Sequence, residues 1–125
     1  MNMTATNHPH AITIEKNPNR VTVTFNGTII ADTQRALVLR EGPLPSVPYI
    51  PREDVMMSYL RKTDHTTHCP FKGDASYFTV DVKGRVAENA VWSYEAPFSS
   101  VSAIADYVVF YPDHMDAIEE CSLDE

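Results

Sequence analysis

Apolar and polar residues alternate in two early segments, with Ile12 and Ile14 set against Thr13 and Glu15, and Val21, Val23 and Phe25 set against Thr22 and Thr24. A two-residue period puts alternate side chains on one face, so both segments read as half-buried strands. Asn17-Pro18-Asn19 supplies the turn between them, and Asn26-Gly27, which tolerates positive φ at both positions, predicts a hairpin into Thr28 to Ala31. A fourth strand, Ala36 to Arg40, completes a predicted meander. Pro43, Pro45, Pro48 and Pro51 then stiffen an extended connector that can serve as a wall.

Beyond Pro51 the pattern changes. Glu53 and Asp54 suit the positive end of a helix dipole, and Arg61 and Lys62 suit the negative end. Val55 with Tyr59, and Met56 with Leu60, lie four apart, which predicts a short helix over residues 52–62 packed on a sheet. Ala75 to Val82 and Val86 to Tyr94 read as strands joined at Lys83-Gly84, residues 101–105 as one helical turn, and Tyr107 to Tyr111 as a central strand ended by Pro112. The sum is a mainly β, antiparallel single domain over residues 11–112, either an open barrel or two facing sheets, with one short helix near 52–62. Residues 1–10 show no periodicity and read as a disordered arm, and residues 113–125 as an acidic tail with little to bury.

Charge sharpens this division. Six of the 17 acids lie from Asp113 onward and no Lys or Arg follows Arg85, so residues 1–112 carry 11 acids against 10 bases. A nearly neutral body with an acidic end repels phosphate backbones, which argues against nucleic acid as a partner. No apolar run approaches the roughly 18 residues a bilayer crossing needs, and the first seven residues lack the regions of a secretion signal. The expectation is a cytoplasmic protein without a membrane partner, with Cys69 and Cys121 both reduced.

The chemistry gathers in His65-Thr66-Thr67-His68-Cys69-Pro70-Phe71-Lys72-Gly73-Asp74-Ala75-Ser76-Tyr77. Pro70 and Gly73 favour a tight turn that presents Phe71 and Lys72 at its tip. Cys69 is a candidate nucleophile because a nearby ammonium such as Lys72 lowers a thiol pKa, and His65 or His68 can act as base; the competing account is a buried, inert thiol. A metal is not expected: in extended chain His68 and Cys69 point to opposite faces, and no Cys-x-x-Cys pair is present. Trp92 and Tyr94 share a strand face, with Tyr77 on the partner strand, so these three and Tyr49 line a concave surface or fill the core. Arg35 and Lys72 can meet a carboxylate or phosphate, with Glu41 as base or counter-ion; for Arg35 and Glu41 a solvated salt bridge competes.

Several stretches together, Glu41-Gly42, Tyr49 to Val55, Thr67-x-Cys69-Pro70-Phe71-Lys72-Gly73-x-Ala75-x-Tyr77, Ala90-x-Trp92-x-Tyr94 with Pro97, and Ile104 to Tyr111, resemble the bacterial domain-of-unknown-function 427 family. The resemblance implies a compact β-rich domain similar to the β-tent folds, with no established substrate. Phe71 stands where that family commonly carries Tyr or Trp. The nucleotidyltransferase label sometimes attached to the family finds neither a Gly-rich phosphate loop nor paired metal-binding carboxylates in this chain.

Two functions remain open from sequence. One is a pocket for a polar or anionic small molecule, catalytic or not, needing no cofactor, with Cys69, Lys72 and Glu41 as reactive groups and Arg35, Tyr49, Lys72, Tyr77, Trp92 and Tyr94 as ligand contacts. The other is an interaction module, such as a homodimer formed through a sheet edge, in which the aromatics are core.

Overall fold

Paired left-handed residues fix the two tight reversals: Asn26 (φ 50°) with Gly27 (φ 74°), and Lys83 (φ 53°) with Gly84 (φ 88°). The computed structural model describes residues 11–123. Its strands are β1 (Ile12–Lys16), β2 (Arg20–Phe25), β3 (Thr28–Thr33), β4 (Leu37–Glu41), β5 (Val47–Tyr49), β6 (Leu60–Cys69), β7 (Gly73–Val82), β8 (Arg85–Ser93), β9 (Val108–Phe110) and β10 (Ala117–Cys121). They form three antiparallel sheets, ordered β1-β4-β5, β10-β2-β3 and β6-β7-β8-β9. The mainly β, antiparallel prediction holds, and the two tight reversals join β2 to β3 and β7 to β8 as expected.

Strand alternation builds two cores. Phe78, Val80 and Val82 of β7 join Val21, Val23, Phe25 and Ile30 in one apolar cluster, while Ala75 and Tyr77 of the same strand join Leu39, Tyr49, Tyr94 and Ile104 in another. The β6–β9 sheet is therefore covered on one face by β10-β2-β3 and on the other by β1-β4-β5. Val108 and Ile50 exchange backbone hydrogen bonds of 2.9 Å each way, tying β9 to the end of β5. That bridge buries β9 on all sides although it ends its sheet, where a central strand was expected.

The four-strand meander is corrected. β1 pairs with β4, not β2, because the Asn17 turn carries the chain from one sheet to another. Asn17 is buried, its N–H donates to Ala36 O at 2.8 Å, and its side-chain oxygen accepts from Asn19 N–H at 2.9 Å.

The helix over 52–62 is also corrected: two 3-10 turns, Arg52–Asp54 and Met57–Tyr59, flank an extended Val55. Val55 bridges Ala31, Met56 N–H donates to Ile30 O at 2.8 Å, and Leu60, Arg61 and Lys62 ladder onto Val80, Thr79 and Phe78. Pairing the open edge of β7 outweighs a helical propensity worth tenths of a kcal/mol per residue. The acids expected to meet a helix dipole instead make local pairs: Asp54 accepts from Thr33 Oγ1 at 2.6 Å and pairs with Arg35 at 3.2 Å. The turn expected at 101–105 is a 3-10 segment, Ser99–Ile104, and among the described residues no helix is long and apolar enough to cross a membrane.

The acidic tail is the third correction. Residues 1–10, Asp124 and Glu125 lie outside the described residues, but Ala117–Cys121 forms β10 against β2. Met115 is only 8% exposed and belongs to the first core. Asp116 accepts from Gly27 N–H at 3.0 Å and from Arg85 at 2.8 Å, and Arg85 lies 4.7 Å from the centre of the Phe25 ring. Docking thus buries Met115 and satisfies the edge of β2, which offsets the repulsion of four acids between Asp113 and Glu120.

Removing this segment has a measurable cost. Met115→Ala should lose about 2–5 kcal/mol, as buried Met truncations do. Truncation after Pro112 should lower the urea midpoint further still; a truncated chain that unfolds at the wild-type midpoint would contradict the docking of β10.

Candidate functional site

Where the β1-β4-β5 sheet meets the aromatic face of β7 and β8, the second core fails to close. Leu39 and Glu41 of β4, Leu44, Pro45, Val47 and Tyr49 of the proline-rich connector and β5, Lys72, Tyr77 of β7, Trp92 of β8, Tyr94 and Tyr111 surround a cavity of about 300 Å³. That volume is at the lower end of small-molecule sites. Alternation explains the aromatic wall: Tyr77 and Trp92 are paired across β7 and β8, so their rings stand side by side on one face.

The cavity holds a nearly buried ion pair. Lys72 Nζ lies 2.5 Å from Glu41 Oε1, and the two side chains are 10% and 12% exposed. The ammonium also sits 5.7 Å from the centre of the Tyr94 ring, within cation–π range. The sequence predicts Lys72 at the tip of an exposed turn; the structure folds it inward. Lys72 N–H donates to Cys69 O at 3.2 Å, Phe98 N–H donates to Lys72 O at 2.9 Å, and Gly73 adopts φ 116°. The segment from Ala96 to Phe98 packs over the turn, in ordinary contact: a Cβ on Gly73 would lie 3.5 Å from Pro97 Cα. With its outer side covered and its backbone reversed by a left-handed glycine, the turn directs Lys72 to the core.

The phenols form the rest of the polar lining. Tyr77 OH and Thr67 Oγ1 share a hydrogen bond of 2.9 Å, and the His65 ring packs edge-on against Tyr77 at 4.5 Å. Trp92 and Tyr111 lie 4.5 Å apart at a tilt of 52°. Burial pushes the Tyr49 hydroxyl well above its ordinary value, against a smaller opposing effect of the neighbouring Trp92. Burial raises Tyr94 as well, with the neighbouring Tyr49 adding to it. Tyr111 is pushed up to about 12, first by burial and then by the neighbouring Tyr77.

The other predicted residues fall elsewhere. Cys69 is half-buried, packs against the second core and does not line the cavity. Neither histidine hydrogen-bonds its thiol among the described residues: His65 is on Tyr77, and His68 Nδ1 meets Asp74 at 2.7 Å. Arg35 is not brought to the cavity but pairs with Asp54 and Glu53 beside a separate groove at Arg52 and Tyr107, so the salt-bridge reading holds for it. Phe71 lies with Ile12, Ser100 and Val101.

Sequence reasoning missed Tyr111, at the end of an apolar run, and Leu39, whereas Leu44, Pro45 and Val47 belong to the connector expected to form a wall. It also missed a charged clamp behind the sheet. Arg52 reaches Glu95 at 2.9 Å, Ser93 at 3.0 Å and Asp106 O at 2.8 Å, while Lys62 reaches Glu95 at 2.7 Å. Burial alone would raise the Glu95 carboxyl, but the bonds from Lys62 and Arg52 outweigh it and hold the group below its ordinary value.

Lys72→Met should destabilise by about 3–5 kcal/mol because it strands a buried carboxylate, whereas adding Glu41→Leu should recover most of the loss. A double variant no more stable than the single one in urea would contradict the burial of the pair. The phenols set an alkaline limit: below pH 10 they are protonated in folded and unfolded chains alike, so this part of the stability is complete. As pH climbs from 10 towards 12 the unfolded chain ionises first and stability falls. Phenolate absorbance should therefore show a late phase coincident with loss of circular dichroism, reduced in Tyr49→Phe, Tyr94→Phe and Tyr111→Phe. Early ionisation of all three, with the fold intact, would count against it.

No curated protein matches the chain. A sequence model of the family described as "Domain of unknown function (DUF427)" matches residues 13–121, which takes in every strand from β2 to β10 and all but the first residue of β1. With that much of its length matched, the chain belongs to the DUF427 family.

Proposed function

We propose that this protein binds a small polar metabolite in the cavity at Lys72 and Glu41. The observation that carries the proposal is a nearly buried ion pair opening onto an unfilled, aromatic-walled space. Taking two charges out of water costs several kcal/mol per ion, and apolar residues of similar volume would hold such a site together as well or better. A pair kept at that cost beside an empty volume fits recognition better than packing. Lys72 and Glu41 are also the groups placed to exchange a proton with a bound molecule, so a reaction here would run at those atoms rather than at the Cys69 thiol. The same geometry favours a pocket over an interaction module, whose interior would be filled.

The chain carries its own reporter, since Trp92, its one tryptophan, lines the cavity. Titration with a panel of small carboxylates, amides and nitrogen heterocycles should give at least one saturable change in tryptophan emission with a matching rise in Tm. A ligand at a hundred times its Kd stabilises by about 2.7 kcal/mol. Silence of both signals across the panel would overturn the proposal.

A further inference from the structure

The site has a net charge of zero. One positive and one negative group face each other at 2.5 Å, and burial favours the neutral form of the Tyr49 and Tyr94 phenols beside them. A ligand that enters as an anion gains from Lys72 but meets Glu41 at the same place, and a cation meets the converse. Either brings a charge without its own counter-charge into a partly desolvated volume, which costs more than its attraction to half of an existing pair returns. What the pair offers without penalty is a donor beside an acceptor. An ammonium has three N–H groups, of which the Glu41 contact takes one, and a carboxylate accepts at two oxygens.

The walls add a shape. Trp92 and Tyr111 present aromatic surface to the cavity, and such surface is satisfied by a flat ring stacked or edge-on against it. A cavity of about 300 Å³ admits one or two fused rings rather than an extended chain.

On the reading that this cavity is a binding site, we infer that its ligand is a net-neutral planar heterocycle carrying a ring carbonyl beside a ring N–H, the carbonyl accepting from Lys72 and the N–H donating to Glu41. A lactam edge sets an acceptor beside a donor, the complement of an ammonium beside a carboxylate, and its flat ring suits the aromatic wall.

Four probes test this by calorimetry on the wild-type chain: uracil, in which a carbonyl adjoins an N–H; N,N′-dimethyluracil, which keeps the ring but has lost both N–H donors; benzoate, a planar anion; and benzamidine, a planar cation. Uracil should bind at least about tenfold more tightly than each of the others, because a site built around hydrogen bonds rejects a ligand that leaves its buried groups unpaired. In Lys72→Met combined with Glu41→Leu the preference for uracil over its dimethyl analogue should vanish. Should that variant not fold, the wild-type ranking decides alone.

Benzoate or benzamidine binding as tightly as uracil, or dimethyluracil binding as tightly, would overturn the ligand class while leaving the pocket in place. Silence towards uracil with a response to another member of the wider panel would do the same. Silence towards every probe would overturn both the class and the site.

Discussion

Both faces of β7 have to be kept from water, and the rest of the architecture answers that constraint. Phe78, Val80 and Val82 point to one side and Ala75 and Tyr77 to the other, all of them buried. A single partner sheet would leave one set exposed, at roughly 1.5–3 kcal/mol for each large side chain. Two three-stranded sheets are therefore required, and the chain supplies them by crossing at Asn17 from β1 to β2 and returning its last strand, β10, to the edge of β2. The Ile50–Val108 bridge closes the contact between β5 and β9.

The site is a by-product of that double covering. The two cores differ in chemistry: the first is built mainly from Val, Ile and Phe, while the second contains Tyr49, Tyr77 and Tyr94. A phenol brings a hydroxyl that needs a partner into the core, as Tyr77 finds in Thr67, and the rings of this second core line one wall of the cavity. Into the remaining space the Cys69–Gly73 turn places an ammonium, and the end of β4 a carboxylate, each making the burial of the other tolerable. The pair therefore acts as one unit, and the recognition proposed for the cavity depends on it.

Parts of this were legible from residue order. The Asn26-Gly27 and Lys83-Gly84 reversals, the alternation in β2, the strands β7 and β8, and the proline-stiffened wall followed from local chemistry, and so did the sharing of one face by Tyr77 and Trp92. Glu41, Tyr49, Lys72, Tyr77, Trp92 and Tyr94, singled out for their side chains, do converge on one cavity, whereas Cys69 and Arg35 do not line it. Tyr111 gave no signal, because a tyrosine at the end of an apolar run is what a buried strand also contains.

Short-range rules made the turns, the alternation of β1 and β2 and a mainly antiparallel β domain legible in the residue order, because φ preferences and a two-residue period act within a few residues. Tertiary structure alone decided the partners. Residues 52–62 carried helix signals yet gave way to an open edge of β7, 113–123 carried acids yet docked through Met115 and β10, and Lys72 looked solvated yet turned inward under Pro97. In each case a long-range contact, a ladder, a buried side chain or a covering segment, exceeds a local preference worth less than a kcal/mol, and such contacts are invisible until the distant strand is in place.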